Sequence, residues 1–412
     1  MSYTNPLEIG VLACPGGEVF AKEIISHLER ISKQEYKRRV SNLANKTSLS
    51  QNEVMGKANF YRNITEPFSD IDVATDHFPN GDFKIGAHFT RFANGEFKTE
   101  ILKSVRDMDV FIVQDVSNQY PVAFDRPSER LLLSLNDHIL CLLVTADAAL
   151  QAGARRVTLV LPTYPYSRQH RKRTREGLSA ARFGQIMEYI GVERIITLDI
   201  HSREIENTFN HLRLENLHAS YQIVKVLKDL VDLKSPDLMI VSPDTGAVDR
   251  NKFYAQTLDR PLGLLYKERD YSKLSINAED CNITNTQLLG SVTDKIVFMS
   301  DDMLGTGGSI LGALRALKTL GAKMILCAVS LPFFNGDAID VFEKAYREGL
   351  FYRIIGTNAV YHDESLLSKE WYLLANVSNL FAESIFRLHH NRSVSTLLDN
   401  RNIIEDLLKK QN

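Results

Sequence analysis

Short runs of apolar residues recur along the chain, separated by longer stretches with the spacing of amphipathic helices. The runs are DVFIVQD (109–115), RVTLVLP (156–162), RIITLDI (194–200), LMIVSP (238–243), KIVFMSDD (295–302), MILCAVS (324–330) and WYLLANV (371–377). Unbroken apolarity over four to six residues, closing on Asp, Pro or Ser, is the pattern of a parallel strand covered on both faces. Alternation of such strands with helices predicts an open, doubly wound α/β sheet. In sheets of that kind ligands bind beyond the carboxyl ends of the strands, so residues that carry chemistry should follow the strands directly.

The chain has 412 residues, more than the roughly 250–300 that one hydrophobic core usually serves. Two mostly parallel-sheet domains are therefore expected, 1–210 and 211–412, divided near TFNHLRLENLHAS, with the last helices packing back on the first domain. The segment 33–80 breaks the rhythm, being polar and carrying the charge cluster KQEYKRRV. It predicts a solvated insertion or an added surface helix, with no catalytic role.

A formal charge of −2 and a pI near 6.6 provide no global basic surface, so the expected ligands exclude nucleic acid and any anion needs a local site. Cys14, Cys141, Cys281 and Cys327 have neither metal-site nor disulfide spacing and read as small core hydrophobes. The first residues lack a basic stretch followed by a long apolar one, and no apolar run approaches roughly 18 residues. A cytoplasmic protein without membrane segments is expected.

The strongest chemical signal is KIVFMSDDMLGTGGSILGALRALKTLG (295–321). An apolar strand ends in Asp301 and Asp302, passes through Gly305, Thr306, Gly307, Gly308 and Ser309, and enters an amphipathic helix. Glycines let successive backbone N–H groups converge, and a helix N-terminus adds positive potential there, which suits a phosphate. Hydroxyls of Thr306 and Ser309 can complete the cradle, while the two acids can accept from the hydroxyls of a pentose. A purely structural turn is the competing reading, less favoured because adjacent acids stand at a buried strand end before TGGS. The loop lacks the GK[ST] ending of a Walker loop, so a lysine gripping ATP phosphates must come from elsewhere.

With this loop the chain resembles the ribose-phosphate pyrophosphokinases of the phosphoribosyltransferase superfamily, whose loop reads approximately DDxxDTxGT. Asp301, Asp302, Thr306, Gly308 and Ser309 match it, and Gly305 replaces the third acid. RFANGEFK (91–98) resembles the family's FSDGE segment, which implies that Phe92, Asn94 and Glu96 hold adenine; Asn94 replaces an acid. TYPYSRQHRKRTREGLSAARFG (163–184) resembles the family's YARQDRK stretch, so Arg168 and Gln169 are the implied ATP contacts, with His170 in place of Asp. TLDIHS (197–202) and VSPDTGAVDR (241–250) resemble strand-end motifs whose histidine and aspartate, here His201 and Asp244, are implied metal ligands. GLLYKERDYSK (263–273) resembles the catalytic loop, making Lys267 and Arg269 the implied clamps on the migrating phosphoryl group. The tail NVSNLFAESIFRLHHNRSVSTLL (376–398) is similar to the family's closing strand, helix and SVSxLF end.

The resemblance implies two domains of phosphoribosyltransferase type, an ATP side followed by a ribose 5-phosphate side. It implies diphosphoryl transfer from Mg-ATP to C1 of ribose 5-phosphate, with Mg²⁺ as cofactor and Arg269 also near the sugar. It further implies a homo-oligomer built from dimers, up to a hexamer. Two alternatives stay open: a phosphoribosyltransferase using the same loop, and a catalytically weak regulatory relative, which Gly305 and His170 favour.

Overall fold

The computed structural model describes residues 8–56, 83–124, 130–172, 174–269 and 283–409, with the side chains of 267–269 and 283–286 outside that description. The chain opens with β1 (Ile9–Ala13) and the 30-residue helix α1 (Glu18–Thr47), followed by the short helix α2 (51–56). Next come β2 (Lys84–Ile85), the hairpin β3 (Ala87–Arg91) and β4 (Phe97–Ile101), β5 (Asp109–Val113), and a small pair, β6 (Val122–Ala123) and β7 (Arg130–Leu131). α3 (Leu135–Gln151), β8 (Arg156–Val160), α4 (Ser179–Tyr189), β9 (Arg194–Leu198) and β10 (Arg213–Leu217) complete a six-stranded sheet ordered β10-β9-β8-β5-β1-β2. Its neighbours all pair in parallel.

The second half follows the same plan. It contains α5 (Ser220–Leu227), β11 (Leu238–Ser242), α6 (Val248–Leu258), β12 (Leu262–Arg269), β13 (Ile283–Leu289), β14 (Ile296–Leu304), α7 (Gly308–Thr319), β15 (Met324–Pro332), α8 (Ala338–Arg347), β16 (Arg353–Thr357), α9 (Glu364–Leu367) and β17 (Tyr372–Ala375). The chain closes with α10 (Ser378–His389), α11 (Ser395–Leu398) and α12 (Arg401–Lys409). The seven-stranded sheet runs β13-β12-β11-β14-β15-β16-β17 and is parallel except for the edge pair β12–β13. Two doubly wound, mostly parallel sheets are therefore present, as the apolar runs predict.

Three expectations on boundaries change. Strand β10 bonds to β9, so the first sheet reaches Leu217 and the division at 210/211 falls one strand short. The charge cluster in 33–40 does not begin an insertion; it continues α1, where Glu35 meets Arg38, Arg39 and Arg392. Strand β14 runs on through Asp301 and Asp302 to Leu304, still paired with β15, so it ends two residues beyond the acids at which the sequence places its end.

One hydrophobic core joins the sheets. Val160, Ile196 and Leu217 of the first pack in the same cluster as Ile240, Phe298 and Ala328 of the second. Helix α10 returns to α1, with Phe381 edge-on to Phe20 at 5.2 Å between ring centroids. Such burial of aromatic rings contributes a large share of a core's stabilisation. Cys14, Cys141 and Cys327 are buried free thiols, as small core hydrophobes should be, and Cys281 lies outside the described residues. Among the described residues no helix is long and apolar enough to cross a membrane.

Candidate functional site

In the second sheet the strand order reverses between β11 and β14, and a crevice opens beyond their carboxyl ends, where doubly wound sheets bind ligands. Three sequence features converge there: Asp244 after β11, Asp301 and Asp302 on β14, and the Gly305–Ser309 loop entering α7. They line one cleft of about 1450 Å³ together with Arg168 and His201 from the first half of the chain.

The loop owes its shape to particular residues. Gly307 has φ +82, and a β-carbon there would lie 2.2 Å from the Phe342 ring, so a residue without a side chain is required. Gly305 differs: its φ is not left-handed, and an added β-carbon would lie 3.5 Å from Asn335 Oδ1 and 3.7 Å from the nearer terminal nitrogen of Arg168. Asn335 N donates to Gly305 O at 3.1 Å and ties the loop to the segment after β15. Buried Asn251 fixes α6 against β14: its amide donates to Ser300 O and Ala247 O, and its Oδ1 accepts from Ser300 N. The Asp244 turn, which precedes α6, and the acids of β14 are thereby held in register.

His201 crosses from the first sheet to this site. Its Nδ1 lies 2.6 Å from Asp302 Oδ2. Burial opposes the negative charge of Asp302, but the His201 bond and the nearby Arg250 cation outweigh it and hold Asp302 below the ordinary carboxylate range. Asp301 moves the other way, pushed up by burial and then by the charges of Asp302 and Asp244. Three carboxylates, of Asp244, Asp301 and Asp302, line the same cleft, and a divalent cation can neutralise such a concentration of negative charge. Asp244 Oδ1 accepts from Gly246 N and Ala247 N, at 2.9 and 3.1 Å. Among the described residues no group of three or more His, Cys, Asp or Glu side chains forms a metal cluster. A hard cation that takes one or two protein ligands and keeps water or phosphate for the rest does not need one.

A network with no local signal in the sequence lines the same cleft. Asp199, buried and with φ +42, is the first residue after β9 and stands two residues before His201. Its carboxylate meets His218 Nδ1 at 2.8 Å, Arg250 at 3.2 Å and the Ser330 hydroxyl at 2.6 Å. Burial raises the proton affinity of Asp199, yet Arg250 and His218 overcome it and keep the group ionised. Arg250 stands in the quoted VSPDTGAVDR and Asp199 in TLDIHS, but nothing in either stretch indicates that they touch across 51 positions of sequence.

Other expected residues fall elsewhere. Phe92, Asn94 and Glu96 form the tip of the β3–β4 hairpin, where Phe92 N donates to Glu96 O and Glu96 N to Asn94 Oδ1. None of the three lines the cleft, and Phe92 is 46% exposed. Arg168 lines it, whereas neighbouring Gln169 does not. His170 packs edge-on to His201 with ring centroids 5.4 Å apart. Lys267 and Arg269 are the last residues of β12 in backbone terms; their side chains lie outside the described residues.

Comparison with known proteins agrees with the geometry. Residues 81–191 match the family described as the N-terminal domain of ribose phosphate pyrophosphokinase, and 213–350 match the phosphoribosyl transferase domain. The chain is 31% identical to ribose-phosphate pyrophosphokinase A of Dictyostelium discoideum, over 76% of this chain and 89% of that protein. It is 33% identical to ribose-phosphate pyrophosphokinase 2 of Schizosaccharomyces pombe, over 74% and 87% respectively. The crystal structure of phosphoribosylpyrophosphate synthetase from Mycobacterium smegmatis superposes with a TM-score of 0.66 at 22% identity, covering 93% of this chain and 99% of that one, which identifies a shared fold.

Proposed function

Since the chain belongs to the ribose-phosphate pyrophosphokinase family, we propose that it transfers the diphosphoryl group of ATP to C1 of ribose 5-phosphate, giving phosphoribosyl pyrophosphate and AMP. The observation that carries this reading is the His201–Asp302 bond, which sets a residue of the first sheet directly on the acids of the second sheet's loop. A two-substrate transfer needs such a junction, with one substrate presented from each side.

In this reading the residues 1–217 form the ATP side and the rest the ribose-phosphate side. Phe92, Asn94, Glu96, Arg168 and Gln169 contact the nucleotide. Backbone N–H groups and hydroxyls of Gly305, Thr306, Gly307, Gly308 and Ser309 hold the 5-phosphate, and Asp301 and Asp302 orient the sugar hydroxyls. The C1 hydroxyl oxygen forms a bond to the β-phosphorus as the bond from that phosphorus to the α,β-bridging oxygen breaks. The bridging oxygen leaves with AMP, and the hydroxyl proton passes to solvent. Lys267 and Arg269 stabilise the charge that gathers on the migrating group, and Arg269 also reaches the sugar.

Mg²⁺, held by His201 and Asp244 with the substrate phosphates, would supply charge neutralisation at the phosphoryl oxygens. The ring orientation set by the Asp302 contact on Nδ1 leaves Nε2 of His201 for that role. The protein acts as a homo-oligomer of dimers, in which hairpin-tip residues such as Phe92 serve from a subunit contact, in keeping with their exposure outside the cleft.

Incubation of the purified protein with ATP, Mg²⁺ and ribose 5-phosphate should release AMP and phosphoribosyl pyrophosphate in equal amounts. Binding of ribose 5-phosphate without AMP release would instead identify a regulatory relative.

A further inference from the structure

We propose that Asn400, the residue that leads into helix α12, is a positioning residue for His201, so that the C-terminal helix belongs to the machinery that holds the metal. This deepens the proposed function and rests on its assignment of His201 to Mg²⁺.

His201 lies in the turn 199–201, and the end of β10 with the residues after it cradles that turn. Asp199 N donates to Leu217 O at 2.8 Å, and Ile200 N donates to Asn216 Oδ1 at 2.9 Å. The Asp199 carboxylate accepts from Ala219 N at 3.2 Å and lies 2.8 Å from His218 Nδ1. Residues 216–219 are thus a mould for the backbone that presents the imidazole to Asp302. A shift of that mould moves His201 away from its partner.

Asn400 anchors the mould. It is 2% exposed, in the wall of the cleft, and its Nδ2 donates to His218 O at 2.8 Å and to Ser220 Oγ at 3.0 Å. A carbonyl oxygen only accepts, so the amide must turn its NH2 group towards His218. That orientation leaves the Asn400 Oδ1 buried with no hydrogen-bond partner among the described residues. Unpaired buried acceptors are rare in native proteins, and this one accompanies the orientation that the His218 carbonyl demands.

Helix α12 keeps Asn400 in place. Ile404 N donates to Asn400 O at 3.1 Å, the Ile404 side chain is fully buried in the core that joins the sheets, and the helix packs on α5 and α6. The resemblance to the family's SVSxLF end closes at Leu398, so Asn400 and α12 brace the site from beyond the pattern that identifies the reaction. The sugar phosphate is assigned to 305–309, with which Asn400 makes no bond among the described residues. Its contribution is therefore to turnover and metal use, and not to binding of ribose 5-phosphate.

The test compares Asn400→Asp and Asn400→Ala with Ile404→Val. Asn400→Asp keeps the shape and sets an acceptor against the His218 carbonyl, whereas Ile404→Val trims the core anchor of α12 and controls for stability alone. Both Asn400 variants should lower kcat about tenfold and raise the Mg²⁺ concentration for half-maximal rate, the lower end of the loss typical when support of a metal ligand is removed. KM for ribose 5-phosphate should stay nearly unchanged. Ile404→Val should lower the unfolding midpoint and keep the wild-type kcat. Amide hydrogen exchange reads the turn itself without substrate or metal: protection of residues 197–202 should fall in the Asn400 variants and persist in Ile404→Val. Wild-type kcat or wild-type protection of 197–202 in Asn400→Asp would overturn the inference, as would an equal loss of kcat in Ile404→Val. In each of those cases AMP release by the wild type leaves the proposed function standing. A wild type that releases neither AMP nor phosphoribosyl pyrophosphate overturns the proposed function, and this inference with it.

Discussion

Asp199 and Arg250 form an ion pair of 3.2 Å that joins the two halves of the chain in the wall of the cleft. Arg250 also donates to the Ser330 hydroxyl, which in turn donates to the second oxygen of Asp199, closing a ring of three side chains. The pair does more than link the halves. Asp199 stands two residues before His201, so its fixed position determines where that imidazole can reach, and the Arg250 charge also helps keep Asp302 ionised.

Removing one partner strands the other as a buried charge. Arg250→Met should therefore destabilise the protein by roughly 3–5 kcal/mol, the usual cost of breaking a buried pair from one side. Asp199→Asn combined with Arg250→Met should cost clearly less than the sum of the single changes, because the pair is lost only once. Urea denaturation midpoints of the four proteins measure this coupling. Simple additivity would show that the two side chains act independently.

A second contact between the halves predicts a pH dependence. Asp115 is buried after β5, where its carboxylate accepts from Ser117 N and from Tyr361 N of the other half. Burial outweighs these two bonds and pushes its pKa up to about 6. A carboxyl with a raised folded-state pKa binds protons more readily folded than unfolded, so its contribution is full below about pH 4 and is lost as pH rises through about 6. A two-unit shift corresponds to roughly 3 kcal/mol at most. Asp115→Asn removes the charge, at the cost of one of the two acceptors, and should remove this decline while lowering stability at every pH. Stability measured from pH 4 to 7.5 should fall more steeply in the wild type than in the variant; parallel curves would refute the assignment.

What the sequence disclosed follows from the range of each signal. The apolar runs at 109–115, 156–162 and 324–330 mark strands because burial on both faces acts residue by residue, and each of them appears as a parallel strand. The hairpin β3–β4 escaped that reading because its alternating pattern, AHFTR and FKTEI, faces solvent on one side. The ribose-phosphate loop was legible because its chemistry is contiguous, from Asp301 to Ser309. The ring of Asp199, Arg250 and Ser330 was not, because long-range pairing leaves no local spacing to read. Placement of Arg168 beside Gly305 is of the same kind, joining residues 137 positions apart.

The loop's own geometry supports another expectation. Gly307 combines left-handed φ with contact to the Phe342 ring, so Gly307→Ala meets both a backbone penalty of roughly 1–2 kcal/mol and a steric overlap that moves the loop. Both stability and ribose 5-phosphate affinity should fall. Gly336→Ala also carries a positive φ but has open space around its β-carbon, which makes it the matching control away from the clash. Equal losses in the two variants would mean that only the backbone conformation, and not the Phe342 contact, constrains Gly307.

Lys267 and Arg269 end β12, the strand beside β11, whose carboxyl end carries Asp244. Cations at that strand end are suited to meet the migrating diphosphoryl group, whose charge is greatest as the bond to AMP breaks. Contacts made chiefly at that moment raise turnover and leave ground-state binding nearly untouched. Lys267→Ala and Arg269→Ala should therefore each lower kcat by about 10²–10³, as loss of one well-placed donor typically does, with KM for ATP changed far less. Arg269→Ala should also raise KM for ribose 5-phosphate, because this residue is assigned to the sugar too, whereas Lys267→Ala should not. Steady-state kinetics with each substrate varied in turn separates these effects. A rise in KM for ATP at constant kcat would show that the two residues bind nucleotide in the ground state, and the transition-state role would have to pass to cations that line the cleft, such as Arg250.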